Sequence, residues 1–396
     1  MICSKEKMRG VLLTQGGEMG STFAKNAAVL LIATFIAVVT LECGVRYAAQ
    51  RGWIEVNLNN MNGFWADLNP DFGVWHKSNA TFIHKGSCFE VTYTTNSYGA
   101  IDKERSLRST EPRVIVLGDS MMEGYTLERW DRLSDQLEQK TGAAFLNFAT
   151  SQVFGPVQYL LAYETLASKF DHEAILVGFL PDNDFTESNW EIGQKLWYKR
   201  YRPYFVGEDG HYELIYFNRD GFNVPQGTDD WLHKPAQYVW DNSSTMRALR
   251  NAYSLLKYQI IVKNKIARAA GALNSRFISY YFDYDEKDFA LIRFIVGRLM
   301  KSAGKRTVIV VTIPVMRDLL SFRDRGQPPL PTRFEQLSKE LGFTYVDLLP
   351  TFAADPGNWE RYYHTCERHW TREANALAVG VLAPIFSRIL KIHGQR

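Results

Sequence analysis

Cysteine is scarce in this sequence. Only four occur in 396 residues (Cys3, Cys43, Cys88 and Cys366), too few for a scaffold built on disulfides. Histidine is nearly as rare, with eight, so chemistry that needs an imidazole has few places to sit. No internal repeat or low-complexity tract is visible, which argues against a solenoid or an unstructured chain. Charge of one sign is lacking too. Forty-six basic residues face 43 acidic ones, and they are scattered rather than gathered in a nucleic-acid-binding module. Nucleic acid is therefore not an expected partner. Apolar residues are abundant at 46%, enough for a substantial core, and length fits one large domain with insertions or two smaller ones. Aromatic residues make up 14%, read first as packing and second as a stacking platform for sugar rings.

Ala27 to Leu41 (AAVLLIATFIAVVTL) is uncharged and is followed by Glu42. Fifteen residues fall between a signal-peptide core and the roughly 20 needed to cross a bilayer, and counting on to Val45 makes a span possible. The 26 residues before the run are longer than a usual signal n-region, and no clean small-x-small cleavage site follows closely. The expectation is an uncleaved anchor over 27–49, with a cleaved signal and a buried helix as alternatives. Lys5, Lys7, Arg9 and Lys25 precede the run, which predicts a cytoplasmic tail over 1–26 and the remainder outside. A disulfide between Cys88 and Cys366 could persist there; the sequence does not show whether the two are close. Asn79-Ala-Thr and Asn242-Ser-Ser match the glycosylation pattern, which matters only in a eukaryotic secretory pathway.

Residues 50–110 form a mixed segment with strand-like pieces such as Phe89 to Thr95. From 111 to 396 buried strands and helical patterns alternate. Strands are expected at Arg113 to Leu117, Ala143 to Phe148, Ala174 to Leu180, Thr307 to Ile313 and Phe343 to Leu348. Helices are expected around Arg129 to Lys140, Pro156 to Ser168, Asp285 to Ala303, Arg333 to Leu341 and Arg372 to Ile389. That rhythm predicts an α/β fold, a three-layer parallel sheet with helices on both faces. It breaks at about 185–284, read as an insertion with short hairpins over Trp190 to Gln226 and one helix over Met246 to Ala270.

Chemistry is best sought at the carboxyl ends of such strands. Val114 to Leu117 runs straight into Gly118-Asp119-Ser120, placing a serine after a tight turn and beside a helix start. Ser120 is either a helix cap or a nucleophile. The stretch is not G-x-S-x-G, since position 122 is Met and the next glycine is Gly124, so an ordinary α/β-hydrolase elbow is disfavoured. An activated serine needs a base, and His369 is the best placed, on a loop before the last helix with Glu367 two residues earlier. His364, Cys366 and His369 also have the look of soft metal ligands, but an obvious fourth is missing. Asn183, in LPDNDF at a strand end, is either an Asx turn or an amide donor to the Ser120 site.

Together GDSMMEG, Asn183 and the C-terminal acid-x-His-Trp resemble the SGNH hydrolases, the GDSL esterase/lipase family, over roughly Arg113 to Leu390. The resemblance implies a flavodoxin-like fold, Ser120 as nucleophile, His369 as general base and Asn183 as an oxyanion donor, with no cofactor and no metal. It places a second oxyanion donor in Asn147 to Leu160, at Gly155 or else at Gln152. Members normally carry Asp two or three residues before the histidine; here those positions hold Glu367 and Cys366, so Glu367 is the expected orienting acid. An anchor followed by NSYG and the catalytic block is similar to membrane-anchored bacterial members, some of which act on acetyl groups of exported polysaccharides. The resulting expectation is a serine esterase tethered to the membrane, facing the periplasm or exterior and acting on an acylated glycan or small molecule. Two rivals stay open: an O-acetyltransferase of surface polysaccharide with the same triad, and a non-catalytic glycan-binding or assembly protein.

Overall fold

The computed structural model of the chain describes residues 6–54, 56, 64–195, 201–208, 210–218, 242–253, 256 and 279–393. A long helix, α1 (Glu6–Gln50), comes first. It carries the apolar run, whose side chains from Val29 to Leu41 are largely exposed, and its most apolar stretch is Phe23–Gln50. The helix therefore extends further towards the N-terminus than the 27–49 expected. Two antiparallel pairs follow, β1 (Trp65–Asn69) with β2 (Gly73–His76) and β3 (Thr81–Lys85) with β4 (Glu90–Thr94). The β3–β4 pair alternates inward and outward as a one-sided sheet should, with Val91 and Tyr93 buried and Glu90, Thr92 and Thr94 exposed.

The main sheet begins at β5 (Arg113–Leu117), in which every residue is buried, as a central parallel strand requires. After it come α2 (Ser120–Glu123), α3 (Leu133–Thr141), β6 (Ala144–Asn147), α4 (Pro156–Thr165), β7 (Ala174–Phe179) and α5 (Pro181–Ser188). The hairpin β8 (Arg202–Glu208) and β9 (His211–Phe217) lies in the expected insertion, and a helical stretch at 244–253 follows it. The rest of the helix expected over Met246 to Ala270 lies outside the described residues, Leu256 excepted. Then α6 (Glu286–Ala303), β10 (Thr307–Thr312), α7 (Met316–Arg325), α8 (Pro329–Leu341), β11 (Thr344–Asp347) and α9 (Arg372–His393) complete the fold.

The sheet is entirely parallel, in the order β11-β10-β7-β5-β6. Counting only its own strands along the chain, this is the 2-1-3-4-5 order of flavodoxin-like doubly wound folds, with the switch point between β5 and β7. The helices α3 and α9 pack together, Phe386 of α9 meeting Phe145 of β6 edge to face at 5.0 Å. On the opposite face α6 packs against α4 and α8, and Phe334 of α8 meets Phe179 of β7 at 5.1 Å. The buried stripe of α6 (Phe289, Ile292, Val296, Leu299, Ala303) has helical spacing, and Asp285 caps its start through the Lys287 amide. Among the described residues α9 is a second long apolar helix, and it is half buried in this core.

Two glycines bring the turn that carries Ser120 down onto the sheet. A Cβ on Gly178 would lie 2.2 Å from Cγ of Met122, and one on Gly118 2.3 Å from the same atom. Met122 is fully buried in the groove that these glycines leave open. The short helix α2 is thereby seated directly over β5 and β7.

Candidate active site

β5 delivers its last residue, Leu117, to the carboxyl edge of the sheet at the switch point. Asp119 is the N-cap of α2, its Oδ1 accepting the Met121 amide at 2.9 Å, and Gly124 closes the turn in the left-handed region at φ 78°. Ser120 is thus the first residue of a one-turn helix locked at both ends. Its cap is Asp119, so the capping role considered for Ser120 is already filled.

Facing Ser120 is His369. Its Nε2 lies 2.9 Å from Ser120 Oγ, across 249 positions of sequence. His369 sits on a tight loop closed by the Tyr363–Trp370 bridge and by the His364 amide donating to the His369 carbonyl at 2.8 Å. Arg368 adopts φ 56° to make that turn. The other ring nitrogen, Nδ1, is 2.9 Å from the main-chain carbonyl oxygen of Glu367. A carbonyl only accepts, so Nδ1 carries the hydrogen and the neutral ring presents an Nε2 lone pair to the serine hydroxyl. That is the tautomer a general base requires. Burial pushes the His369 pKa down to about 4, against the raising effect of the Glu367 carbonyl, so the ring is neutral at pH 7. The Tyr125 ring, 4.6 Å away centroid to centroid, closes one side of it.

Glu367 was expected to orient the histidine through its carboxylate. Its backbone oxygen holds Nδ1 instead, because the two-residue spacing inside a tight loop brings the main chain within reach first. The loop is further fixed by a disulfide between Cys366 and Cys88, which joins it to the connection between β3 and β4. The sequence had left this pairing open. With its sulfur in the disulfide, Cys366 is no thiolate ligand, which removes the zinc reading of His364, Cys366 and His369.

Asn183 lies in the first turn of α5, where Pro181 starts the helix at the end of β7. Its Nδ2 donates to Asp119 Oδ2 at 3.0 Å, which ties it to the residue beside Ser120. Asp119 itself is raised to about 6 by burial, against the Asn183 and Met121 hydrogen bonds. Gly155 does not offer a free amide: its N–H donates to Gln158 Oε1 at 3.0 Å in the cap of α4. Gln152 and Val153, by contrast, sit at φ 71° and 68°, a left-handed pair where glycine would be the comfortable choice. Just before them the Thr150 amide donates to the Gly118 carbonyl at 3.3 Å, so this loop runs beside the turn that carries Ser120.

The largest feature absent from the sequence reading is a buried carboxylate. Glu123, three residues after Ser120, is 1% exposed and accepts from Trp65 Nε1 at 2.8 Å and from the Ser151 hydroxyl; His76 Nε2 lies 3.0 Å away. Burial works to raise its pKa, but hydrogen bonds from His76, Ser151 and Trp65 outweigh it and hold the group below the usual glutamate range. One side chain therefore joins α2, the loop after β6 and the N-terminal strand pair. The signal in sequence was the second acid within GDSMMEG; the partners named here lie 28 to 58 positions away and carry no pattern. Among the described residues no cluster of three His, Cys, Asp or Glu side chains has a metal-holding arrangement.

No family model matches the sequence, and no curated protein matches it. Solved structures do resemble the fold. They include a lipase/acylhydrolase, a lipolytic protein of the G-D-S-L family and a carbohydrate esterase. One is the lipase/acylhydrolase from Enterococcus faecalis, at 10% identity over 70% of this chain and 95% of that one, with TM-score 0.36. Another is a member of the lipolytic protein G-D-S-L family from Veillonella parvula, at 12% identity over 70% and 98%, with TM-score 0.36. A carbohydrate esterase family 2 enzyme with a carbohydrate-binding domain, from Corynascus thermopiles, gives 10% over 73% and 69%, with TM-score 0.36. At such identities and scores nothing about activity follows from the likeness, and the site geometry has to carry that.

Proposed function

We propose that this chain is an SGNH-type serine ester hydrolase, tethered by α1 and acting outside the cytoplasm on an acylated glycan. The observation that carries the reading is the 2.9 Å contact between Ser120 Oγ and an Nε2 whose tautomer is set from behind by a carbonyl. In this mechanism Oγ attacks the acyl carbon while Nε2 takes the hydroxyl proton. The tetrahedral oxyanion is held by the Ser120 N–H, the Asn183 side-chain amide and a main-chain N–H near Gln152. His369 then passes its proton to the departing alcohol, leaving an acyl-enzyme that water cleaves by the same steps in reverse. Asn183 has the hydrogens for this role, since its amide nitrogen carries two and Asp119 takes one. Every step is acid–base and acyl transfer within the chain's own residues.

The location outside the cytoplasm is supported by the Cys88–Cys366 disulfide, which an oxidising compartment preserves. It is also supported by the basic residues preceding the apolar run. The glycan rests on the resemblance and on aromatic content. A sugar hydroxyl in place of water would turn the same acyl-enzyme into an O-acetyltransferase, and supplying an acceptor oligosaccharide during turnover separates the two. The decisive experiment is labelling with a fluorophosphonate together with aryl-acetate hydrolysis, wild type against Ser120→Ala. Labelling and acetate release only in the wild type are expected. An unlabelled wild type with no hydrolysis points to a non-catalytic glycan-binding or assembly protein.

A further inference from the structure

The helical stretch at 244–253 is tied to α1 through the Glu42 carboxylate. Glu42 Oε1 accepts the Ser244 amide at 2.7 Å, and Oε2 accepts the Thr245 amide at 3.0 Å and the Ser243 hydroxyl at 2.8 Å. Ser243 Oγ in turn accepts the Met246 amide at 3.2 Å. The exposed amides of one helix start are thus satisfied by a side chain from another helix about 200 positions earlier. Glu42 is also the first charge after the uncharged run Ala27 to Leu41. If about 20 residues fill the hydrocarbon of a bilayer, Glu42 stands at its outer boundary. Whatever begins at Glu42 begins at headgroup level.

The second helix is apolar where it should not be. Leu249, Tyr253 and Leu256 are 60%, 56% and 60% exposed, and Ala252 is exposed as well. Positions 249, 252, 253 and 256 follow the i, i+3, i+4, i+7 spacing of one helix face. Arg250 is exposed beside that face, and Arg46 and Arg51 are exposed near the end of α1. Cations flanking an apolar stripe suit an anionic lipid surface.

We propose that this helix lies on the bilayer from which α1 emerges, with Leu249, Tyr253 and Leu256 in the interface, as a second contact that fixes how the enzyme stands over the membrane. The inference rests on α1 being a membrane span. The bilayer is the occupant because the Glu42 link puts the stripe at the depth where lipid is already the neighbour of α1.

The test uses the full chain in nanodiscs containing phosphatidylglycerol, with Cys3→Ser and Cys43→Ser removing the other thiols. An environment-sensitive fluorophore is attached through Tyr253→Cys, and in separate samples through Leu31→Cys in α1 and Ser78→Cys on an exposed turn. Lipids carrying a quencher near the headgroup, or near the chain end, report depth. Expected are a blue-shifted 253 probe quenched best from the headgroup position, a 31 probe quenched from the chain end, and an unquenched 78 probe. A 253 probe that behaves like the 78 probe while the 31 probe is quenched overturns the inference and leaves the span intact. A blue shift at 253 without lipid quenching also overturns it, by showing a protein partner instead. An unquenched 31 probe overturns the span itself, and this inference with it.

Discussion

At the scale of residues, the site divides into side chains that a motif announces and atoms that it does not. Ser120 and His369 were legible because strand-end serine and pre-helix histidine are identities, which a sequence preserves. The partner of Nδ1 is a backbone oxygen, and no residue type announces that. Glu367→Ala keeps that carbonyl, so its kcat/KM on an aryl ester is expected to fall less than about tenfold, whereas removing a true carboxylate orienter costs about 10⁴-fold. A loss of the larger size would return the role to the side chain. Asn183→Ala is expected to lose roughly 10²–10³ in kcat with KM little changed, as an oxyanion donor should. The pH profile follows from the buried imidazole. With the His369 pKa lowered to about 4, the active neutral form persists as pH falls below 6.5, and kcat/KM declines only as the pH passes about 4. An acid limb near 6.5 would show that the ring is not desolvated in solution.

At the scale of elements, most strands and helices were readable to within a few residues, because apolar runs and 3.6-residue spacing are local properties. The departures have local causes as well. Pro329 starts α8 four residues earlier than its apolar pattern suggests, and a 3-10 turn at Arg129–Asp131 precedes α3, which begins only at Leu133. What the pattern does not carry is how closely elements approach. Gly178 reads as one more small residue in a buried strand, yet it is the floor under Met122. Gly178→Ala places a methyl group 2.2 Å from Met122 Cγ and 3.0 Å from Ile313 Cδ1. It should cost about 1–3 kcal/mol by overpacking, read from denaturant unfolding. Because α2 rides on Met122, fluorophosphonate labelling of Ser120 should slow in the same variant. Unchanged labelling with normal stability would mean that the turn is seated by something else.

At the scale of the whole molecule, the topology explains why the site is where it is. The switch point between β5 and β7 opens a crevice at their carboxyl ends, and Ser120 and Asn183 come from the two strand ends that flank it. That much was legible in the strand–helix alternation. Less legible was the share of the 50–110 segment, which the sequence sets apart from residues 111–396. Those residues supply His76 and Trp65 to the buried Glu123, and Cys88 to the loop that carries His369. A fragment of residues 111–396 would lose the hydrogen bonds that Trp65 and His76 make with Glu123, each worth about 1.5–3 kcal/mol to a charged acceptor. It would also lose a disulfide closing a 278-residue separation, for which chain entropy alone gives on the order of 5 kcal/mol. Either sum approaches the whole stability of an ordinary domain, about 5–15 kcal/mol. The fragment is therefore expected to show no cooperative thermal transition and no labelling of Ser120, while residues 51–396 show both. A cooperatively folded, labelled 111–396 fragment would demote the N-terminal strands from part of the active site to a cover laid over it.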